Sequence, residues 1–577
     1  MREYLGNGVS KGIAIGPVYV LAASHGEPAA APPPAETAEE ALAAYEAAVR
    51  EAGAELRRLE NRLEERGLPE AKIFAAQAEI LQDEAMDEEI RDSIAAGAMP
   101  GQAIEAVYGM YEDLLGRTED PLIRERAADL RDVRGRLLRR LAGVEERSLA
   151  ALEEPVILVA HDLLPSDTAA LERDKILAIV TETGGATSHS AIIARSYEIP
   201  AVLGVRGLLA AFREGEQIIV DALRGAVLAD APEETLAVYE KRQAAYVRRL
   251  REEKQFLHVC PTTADGVRIE TALNIGSGNE QDLTCEEYAD GVGLFRTEFL
   301  YMNREQPPDE EEQYQIYRKV LERFGRRPVT LRTLDIGGDK QVPCLPLPRE
   351  QNPFLGNRAL RFCLAHEELF LTQLRAALRA SVHGSLWIMF PMVGSMDDLR
   401  RAKAMVLRAG AQLQERGLPF SPEVKLGVMI EIPALALMAD QVAEEADFAS
   451  IGTNDLTQYL VAADRGEPSV AEYYQMYHPA VFRLIRIVSK SFSDAGKPLC
   501  VCGELGGDPL GGLALLGLGV RRFSMGASAL AAMKRMICGV TLSQAREAAK
   551  GACLAATAEE AERILSHAAG TYEAASI

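Results

Sequence analysis

One histidine of this sequence stands where a phosphoryl group could be carried. His189 lies in a stretch rich in glycine and hydroxyl residues, residues 183–195, which follows the apolar run 176–180. The run predicts a buried strand, the glycines predict a turn, and Thr187 and Ser188 occupy helix N-cap positions. A helix N-terminus favours a phosphoryl group, and a neutral imidazole is a good nucleophile. The pattern therefore predicts a phosphohistidine; a capped surface histidine is the alternative.

Four arginines in the second half of the chain could bind an anion that carries phosphate and carboxylate groups, because the guanidinium fork matches both. A single arginine is more often a solvated surface charge. Four of them in glycine-rich or strand-end settings are not easily explained that way and predict an anion site. They are Arg296, Arg332, Arg358 and Arg465.

Two carboxylates and a cysteine add further groups for this chemistry. Glu431 and Asp455 each end an apolar strand-like run, where an unpaired charge would be unfavourable. Ligation of Mg²⁺, which a phosphate leaving group needs, is the simplest explanation, and a buried ion pair with an arginine is the alternative. Cys502 shares a strand face with Cys500, and such cysteines are usually small buried hydrophobes. Gly503 and Glu504 follow Cys502, which places the cysteine at the expected C-terminal end of its strand, where functional groups lie. This position makes Cys502 a candidate acid.

Eight strand-like runs, each followed by a helical stretch, predict that these residues sit on a (β/α)8 TIM barrel. The runs are residues 268–275, 291–295, 329–334, 386–390, 425–430, 448–451, 499–501 and 522–525. In this fold the functional groups lie just past the C-terminal ends of the strands. Polar and charged residues recur at those positions, namely Asn274, Arg296, Arg332, Glu431, Asn454, Asp455, Cys502 and Glu504.

The first half of the chain predicts a small α/β domain that a helical bundle interrupts. Residues 10–20 indicate a strand with a glycine bend, and strand–helix alternation starts again at Glu154 and includes the histidine motif. Between them, apolar residues at steps of three and four indicate antiparallel helices. The helical stretches are residues 42–63, 72–86 and 102–141. A charged helix over residues 232–255 predicts a connector to the barrel.

The composition excludes several classes of function. The 577 residues suffice for several domains, and a hydrophobic content of 48% is typical of a soluble globular protein. The formal net charge of −23 argues against binding to nucleic acid or anionic membranes and suits a basic protein partner. No apolar run approaches the length of a membrane span. The eight cysteines, all from Cys260 onward, make no disulfide or zinc framework and predict reduced thiols in a cytoplasmic protein.

The histidine stretch resembles the phosphohistidine signature of the phosphoenolpyruvate-utilising enzymes, and the remaining motifs resemble the enzyme I family of the bacterial phosphotransferase system. The resemblance covers essentially the whole chain. It implies that phosphoenolpyruvate (PEP) phosphorylates His189, that pyruvate leaves, and that the phosphoryl group passes to the small histidine carrier HPr in the first step of sugar uptake. It also implies a homodimer formed through the barrel.

The resemblance assigns roles to individual residues. It implies that the four arginines bind PEP together with Asn454, and that Glu431 and Asp455 bind Mg²⁺. The residue matching Cys502 protonates the enolate that is left when PEP loses its phosphoryl group. A threonine matching Thr168 lies close to the phosphohistidine.

The resemblance also implies a division into domains. Residues 1–24 and 145–231 would form the swivelling phosphohistidine domain, 25–144 the helical HPr-binding domain, 232–260 a helical linker and 261–577 the PEP-binding barrel. A swivel between these domains predicts hinges near Pro232 and Gln255. An apolar patch with acidic neighbours would bind HPr, and the candidate residues are Ile73, Phe74, Leu81, Asp83 and Glu84. Packing in the core of the bundle is the alternative and explains half of these residues equally well.

The sequence departs from the enzyme I pattern at a few positions and leaves other functions to be weighed. Ala186 replaces a basic residue beside the histidine, Asn357 replaces a bulky residue, and Leu505 and Gly506 vary the segment after the cysteine. A pyruvate–phosphate dikinase or a PEP synthase would need a large ATP-binding domain, and this chain has no P-loop. A nitrogen-regulatory paralogue would carry an additional N-terminal sensor domain. A catalytically silent scaffold is disfavoured by the intact set from His189 to Cys502.

Overall fold

The computed structural model describes residues 1–21, 37–65, 71–116, 121–143, 152, 154–163, 173–184, 188–197, 199–279, 282–302, 304, 306–337, 342, 344, 345, 347 and 350–575. For residues 62–65, 71–73, 116, 121–128, 189, 192, 196, 468 and 571–575 it describes the backbone alone. The chain forms two compact units, Met1–Arg249 and Leu250–Ile577. No helix in the described part of the chain is long and apolar enough to cross a bilayer.

The first unit contains an eight-stranded mixed sheet in the order β1-β8-β7-β3-β4-β5-β6-β2. Its strands are β1 (Arg2–Leu5), β2 (Asn7–Ser10), β3 (Ile13–Leu21), β4 (Val156–Ala160), β5 (Ile176–Thr181), β6 (Ala201–Leu203), β7 (Gln217–Asp221) and β8 (Ala226–Ala229). β3, β4, β5 and β6 run parallel, and β3 also pairs antiparallel with β7. Strands from both sides of the helical segment therefore share one sheet, which confirms the predicted split α/β domain.

The segment between β3 and β4 forms a helical bundle. Its helices are Ala38–Glu65, Ala71–Leu81, Glu84–Ala95, Pro100–Gly116 and Pro121–Leu141. Large side chains such as Tyr45, Leu56 and Ile104 fill its core.

Two candidates for the HPr-binding patch belong to this core. Phe74 and Leu81 have 0% and 7% of their surface exposed. Core packing, the alternative, therefore holds for these two residues, and they are wrong as docking candidates because a buried side chain cannot contact a partner. The side chain of Ile73, a third candidate, lies outside the described residues.

The second unit is a closed barrel of eight parallel strands, which confirms the predicted TIM barrel. Its strands are β9 (Glu270–Ile275), β10 (Val292–Arg296), β11 (Val329–Arg332), β12 (Leu386–Phe390), β13 (Lys425–Ile430), β14 (Phe448–Ile451), β15 (Leu499–Val501) and β16 (Arg522–Met525). These runs are almost continuously apolar because both faces of a parallel barrel strand are buried. The five strands from β12 to β16 have the predicted bounds.

Helices cover the outside of the barrel strands. They are Glu310–Phe324, Leu360–Ala365, Glu367–Ala380, Met396–Glu415, Pro433–Leu437, Ala439–Glu445, Thr453–Val461, Pro479–Asp494, Pro509–Gly517, Ala527–Gly539, Leu542–Leu554 and Ala558–Ala575. Inside, Trp387 packs on Phe448 with ring centroids 4.7 Å apart, and the guanidinium of Arg522 stacks over Trp387. Trp387, Phe448 and Arg522 come from strand positions away from the C-terminal ends, so they fill the interior below the mouth.

The helix Glu233–Gln255 begins on the sheet of the first unit. Tyr239 is buried against apolar residues that include Ile13 and Leu228. Arg242 forms an ion pair of 3.0 Å with the buried Asp221, and the Gln243 side-chain amide donates to the Ile13 carbonyl at 3.1 Å. These contacts fix the first half of the helix to the sheet, so a hinge near Pro232 is physically unfavourable.

Candidate active site

The backbone around His189 has the predicted strand–turn–helix form. β5 ends at Thr181, and the helix His189–Ser196 begins with Ser188 as its N-cap. The Ser188 hydroxyl accepts a hydrogen bond from the Ala191 N–H at 3.3 Å. His189 is therefore the first residue of a capped helix, where unpaired backbone N–H groups favour an anion. The His189 side chain, Thr168 and Ala186 lie outside the described residues.

Side chains at the ends of β4 and β5 hold the first turn of this helix. The Ser190 hydroxyl donates to Asp162 at 3.0 Å, and His161 Nδ1 lies 2.8 Å from a Glu182 carboxylate oxygen. The backbone N–H of Thr183 donates to the His161 carbonyl at 3.0 Å. The Ser190–Asp162 hydrogen bond joins the first turn of the helix to the end of β4, and the other two contacts join the ends of β4 and β5 to each other. Sequence reasoning did not identify them.

At the barrel mouth, one carboxylate bridges two of the predicted PEP-binding arginines. Asp335 lies 2.8 Å from Arg332 Nη1 with one oxygen and 3.0 Å from Arg358 Nη2 with the other. Arg332 also pairs with Glu298, and the Arg358 guanidinium donates to the Tyr459 hydroxyl at 3.2 Å. All three members of the bridge are at least 94% buried. The two guanidinium groups are therefore held side by side before any ligand arrives.

The bridged arginines keep donors available for a ligand. Within the described part of the chain, the buried Nε–H groups of Arg332 and Arg358 have no hydrogen-bond partner. Burial works against the charge of both groups, yet the nearby carboxylates, Asp335 foremost, raise the pKa of each guanidinium above its ordinary value. Both arginines are therefore permanently charged. Buried, charged and partly unpaired donors of this kind fit an anionic ligand.

Glu431 and Asp455 lie beside these arginines. Burial, followed by the neighbouring carboxylates Asp455 and Asp335, raises the pKa of Glu431 to about 8. One oxygen of Glu431 accepts a hydrogen bond from the Met392 N–H at 2.6 Å. Asp455 lies 3.5 Å from Arg358 Nη2, which gives partial support to the ion-pair alternative.

The same two carboxylates fit a divalent cation. The Oδ1 atom of Asp455 is buried and has no hydrogen-bond partner among the described residues, and Arg465 Nη2 lies 3.7 Å from it. A cation that displaced the proton of Glu431 would offset the repulsion between the two ionised carboxylates. No group of three or more histidine, cysteine or acidic side chains in the described ranges converges as a metal site. Mg²⁺, however, commonly takes only one or two carboxylates plus substrate and water.

The remaining predicted residues lie around this cluster. Arg465 approaches Asp455, as given above, and Asn454 exchanges hydrogen bonds with Glu504. Arg296 ends β10 and is half-buried, and its charge acts on the Cys502 thiol. The structure thus brings the barrel residues to the C-terminal ends of their strands, as the TIM barrel requires.

Cys502 immediately follows β15 and points into the upper barrel interior. It is 2% exposed and packs in a cluster with Leu294, Met389 and Met429. Its sulfur lies 3.7 Å from the Ile451 carbonyl. Burial raises the pKa of the Cys502 thiol to about 11, so the thiol keeps its proton at neutral pH. A protonated thiol under the arginine cluster can serve as an acid.

Sequence reasoning did not assign roles to Asp335, Glu298 or Tyr459. A signal was present for the two carboxylates, because Glu298 follows the end of β10 and Asp335 follows the end of β11. Tyr459 gave no such signal, since it contacts Arg358 from within the helix Thr453–Val461. A parallel barrel with this mouth defines the protein as an enzyme that acts on a small anion carrying more than one negative group.

Comparison with known proteins narrows this class. The chain matches three family descriptions: "PEP-utilising enzyme, N-terminal" over residues 5–126, "PEP-utilising enzyme, mobile domain" over 152–225, and "PEP-utilising enzyme, PEP-binding domain" over 250–542. A protein named phosphoenolpyruvate-protein phosphotransferase from Priestia megaterium is 43% identical and covers 92% of each chain. The protein of the same name from Bacillus subtilis strain 168 is 40% identical and covers 97% of this chain and 98% of its own.

These similarities extend over nearly the full length of both relatives. The chain belongs to the family of PEP-utilising enzymes, among the phosphoenolpyruvate-protein phosphotransferases.

The raised pKa of Glu431 predicts a pH-dependent stability. Between its ordinary pKa of 4.5 and its folded value of about 8, the folded state binds a proton that the unfolded state has lost. Stability contributed by this residue therefore falls as pH rises through that range. In metal-free buffer, Glu431→Gln should raise the melting temperature over wild type little near pH 5 and most above pH 8. Differential scanning calorimetry checks this, with the exposed Glu423→Gln as control; a gain that does not change with pH would contradict it.

Proposed function

We propose that the chain transfers the phosphoryl group of PEP to His189 and then to HPr, with pyruvate as the by-product. The observation that carries the proposal is the pair of buried arginines, Arg332 and Arg358, which share Asp335 and keep Nε–H donors for a ligand. PEP carries a phosphate and a carboxylate, so it suits several arginines. The near full-length relatives named phosphoenolpyruvate-protein phosphotransferase support the reaction.

In the proposed reaction, the barrel binds PEP and neutralises its charge. Arg296, Arg332, Arg358, Arg465 and Asn454 hold the phosphate and carboxylate. A ring nitrogen of His189 attacks phosphorus, the bond from phosphorus to the bridging oxygen breaks, and the electron pair of that bond stays on the enolate of pyruvate. Positioning and charge neutralisation supply most of the rate enhancement in such a transfer.

The enolate must gain a proton on carbon to leave as pyruvate, and Cys502 is the proposed donor. Its raised pKa keeps the thiol protonated until the enolate forms. The resulting thiolate lies near the charges of Arg332 and Arg296, both of which stabilise it. His189 thus attacks the phosphorus of PEP, whereas the Cys502 thiol protonates a carbon of the enolate that is left.

Glu431 and Asp455 are the proposed ligands of Mg²⁺. Asp455 Oδ1 supports this assignment because it accepts no hydrogen bond from the described residues, and Glu431 supports it because its raised pKa indicates that neighbouring protein groups do not fully stabilise the ionised carboxylate. When bound, the ion would polarise the phosphate and offset the charge that develops on the leaving enolate.

The proposed division of labour follows the predicted domains. Residues 1–24 and 145–231 carry the phosphohistidine, 25–144 bind HPr, 232–260 connect, and 261–577 bind PEP. His189 and the PEP-binding arginines lie in different compact units, so a rigid-body swivel would bring the nucleophile to substrate and then to HPr. The barrel unit is the proposed dimerisation unit, and exposed apolar side chains after its strands, such as Phe299 and Leu355, support this.

HPr is proposed to bind the helix Pro100–Gly116. Met110 and Leu114 expose 53% and 63% of their surface, which makes them the most exposed large apolar residues of the described bundle. They line a shallow groove together with Tyr111 and Asp113. An apolar patch with an acidic neighbour suits a basic carrier. This site replaces the predicted Phe74 and Leu81, which are core residues.

Labelling with PEP tests the proposed function directly. Radiolabelled PEP and Mg²⁺, with no ATP, should give acid-labile label on the wild-type chain and none on His189→Ala. A pyruvate–phosphate dikinase would need ATP and inorganic phosphate for its full reaction and would not pass label to HPr. Label that fails to appear, or that appears equally on His189→Ala, would overturn the proposal.

The first unit alone should perform the second half of the reaction. A fragment of residues 1–249 should accept phosphoryl groups from phospho-HPr but not from PEP, because it lacks all four arginines. The fragment extends beyond residue 230 so that Arg242 remains to pair with the buried Asp221.

Docking can be tested in the same fragment. Leu114→Ser should slow transfer from phospho-HPr by about tenfold, the effect of losing about 1.4 kcal/mol of binding. Leu5→Ser, at an equally exposed leucine on β1, should leave the rate unchanged. Equal rates for both variants would show that HPr docks elsewhere.

Cys502→Ala should separate the two half-reactions. Turnover from PEP should fall by several orders of magnitude, because water is a poorly placed substitute for the thiol. Transfer from phospho-HPr should hardly change, because that step forms no enolate. Cys500→Ala, at the buried cysteine on β15, is the control. It should lower the melting temperature and leave turnover from PEP nearly unchanged. If Cys502→Ala slowed both half-reactions equally, or neither, Cys502 would be a packing residue.

A further inference from the structure

We propose that Glu504 is a positioning residue, which fixes the side-chain amide of Asn454 toward the substrate and sets the separation between that amide and the Cys502 acid. The inference rests on the proposed function and concerns a residue that the sequence analysis only places past the C-terminal end of its strand. Three observations carry it: a reciprocal pair of hydrogen bonds, the close approach of Gly503 to the first turn of the helix Thr453–Val461, and the burial of Cys502 beside an exposed Glu504.

Glu504 contacts both ends of the Asn454 amide. The Glu504 backbone N–H donates to Asn454 Oδ1 at 2.9 Å, and Asn454 Nδ2 donates to Glu504 Oε1 at 3.2 Å. The oxygen of the amide therefore faces a donor and the nitrogen faces a carboxylate, so a flipped amide would lose both bonds. One N–H of Nδ2 remains for an anion. The carboxylate thus decides that Asn454 presents a donor, not an acceptor, to PEP.

The backbone of Asn454 is held as well. The Tyr474 hydroxyl donates to the Asn454 carbonyl at 3.3 Å. Burial, followed by the charge of Glu504, raises the pKa of Tyr474 to about 12, so this hydroxyl keeps its proton at neutral pH. Asn454 is consequently fixed at its carbonyl and at both amide atoms, which leaves its side chain little freedom.

The segment that carries Cys502 and Gly503 packs directly on the first turn of the helix Thr453–Val461, which carries Asn454. A Cβ atom built on Gly503 would lie 2.0 Å from Thr453 Oγ1 and 2.6 Å from the Thr453 backbone nitrogen. Only glycine permits this approach. The segments that follow β14 and β15 are therefore in direct contact. Gly503 allows the contact because it has no side chain, and Glu504 adds the two hydrogen bonds to Asn454. A change at Glu504 would move the acid and the substrate-binding amide relative to each other.

The geometry also argues against Glu504 as the acid itself. Cys502 is buried in the barrel interior with Leu294 and Met429, whereas Glu504 is exposed and directs its carboxylate to Asn454. The Glu504 carboxylate accepts a hydrogen bond from Asn454 Nδ2, and Glu504 is not part of the buried cluster in which the Cys502 thiol packs. The two side chains therefore have separate tasks.

Substitution by alanine and by glutamine separates a positioning role from an acid role. The glutamine of Glu504→Gln can accept from Asn454 Nδ2 as glutamate does, but it cannot deliver a carboxylic proton. With the full chain, Mg²⁺, PEP and HPr, Glu504→Ala should raise KM for PEP and lower kcat/KM by about 10- to 100-fold. Glu504→Gln should restore kcat/KM to within about threefold of wild type. Transfer from phospho-HPr to His189 should be the same in both variants.

The exposed Glu547→Ala, on the helix Leu542–Leu554, is the matched control and should behave as wild type. Should Glu504→Ala fail to fold, Glu504→Ser takes its place, because serine keeps the backbone N–H but cannot reach Asn454 Nδ2. The inference is overturned if Glu504→Gln is as impaired as Glu504→Ala, or if Glu504→Ala has the same kcat/KM as Glu547→Ala. Inactivity of the wild-type chain with PEP would instead overturn the proposed function.

Discussion

The arrangement of charges at the barrel mouth depends on Asp335, which forms ion pairs with both Arg332 and Arg358. Two guanidinium groups side by side in a buried site repel each other and lose their hydration, and an unpaired buried charge is strongly unfavourable. A carboxylate whose two oxygens each meet a different arginine relieves both effects. Because the pairing uses Nη atoms, the Nε–H groups remain for an incoming anion.

The surrounding fold holds this arrangement by packing and by hydrogen bonds. Gln373 accepts a hydrogen bond from the Leu334 N–H and donates to Thr297, whose hydroxyl donates to the Arg332 carbonyl. Gly337 adopts a φ of +108°, and a Cβ on it would lie 2.6 Å from the Arg358 Cβ. Gly337 thus packs closely against Arg358. Preorganised charge of this kind needs no rearrangement when the transition state forms.

Much of this could be predicted from the sequence, for physical reasons that differ between elements. The barrel strands were legible because apolar runs bounded by turns recur, and polar residues follow their ends. The N-cap at Ser188 could be predicted because a hydroxyl residue directly before a helical stretch commonly caps the helix N-terminus. β1 and β8 were missed because they are short, and they pair with each other although they lie at opposite ends of the first unit's sequence.

Other features depend on contacts that one sequence cannot reveal. A helical stripe that contains Phe74 and Leu81 has the same pattern whether it faces a core or a partner, and here it faces the core. The bridging role of Asp335 requires Arg358, which is 23 residues away. The pairing of Asn454 with Glu504 requires two adjacent strand ends. In each case the sequence contains the individual residue, but it does not reveal which residue or surface that side chain contacts.

In the proposed reaction, PEP and a divalent cation bind together at the barrel mouth. PEP pairs with the arginines, and the cation pairs with Glu431 and Asp455. Titration calorimetry of PEP into His189→Ala, which cannot be phosphorylated at that residue, measures this with and without Mg²⁺. Because the carboxylate of Asp455 repels an anion until a cation binds, Mg²⁺ should tighten PEP binding by at least about tenfold, and PEP should tighten Mg²⁺ binding by the same factor. Equal PEP affinity in the presence and absence of Mg²⁺ would contradict the account.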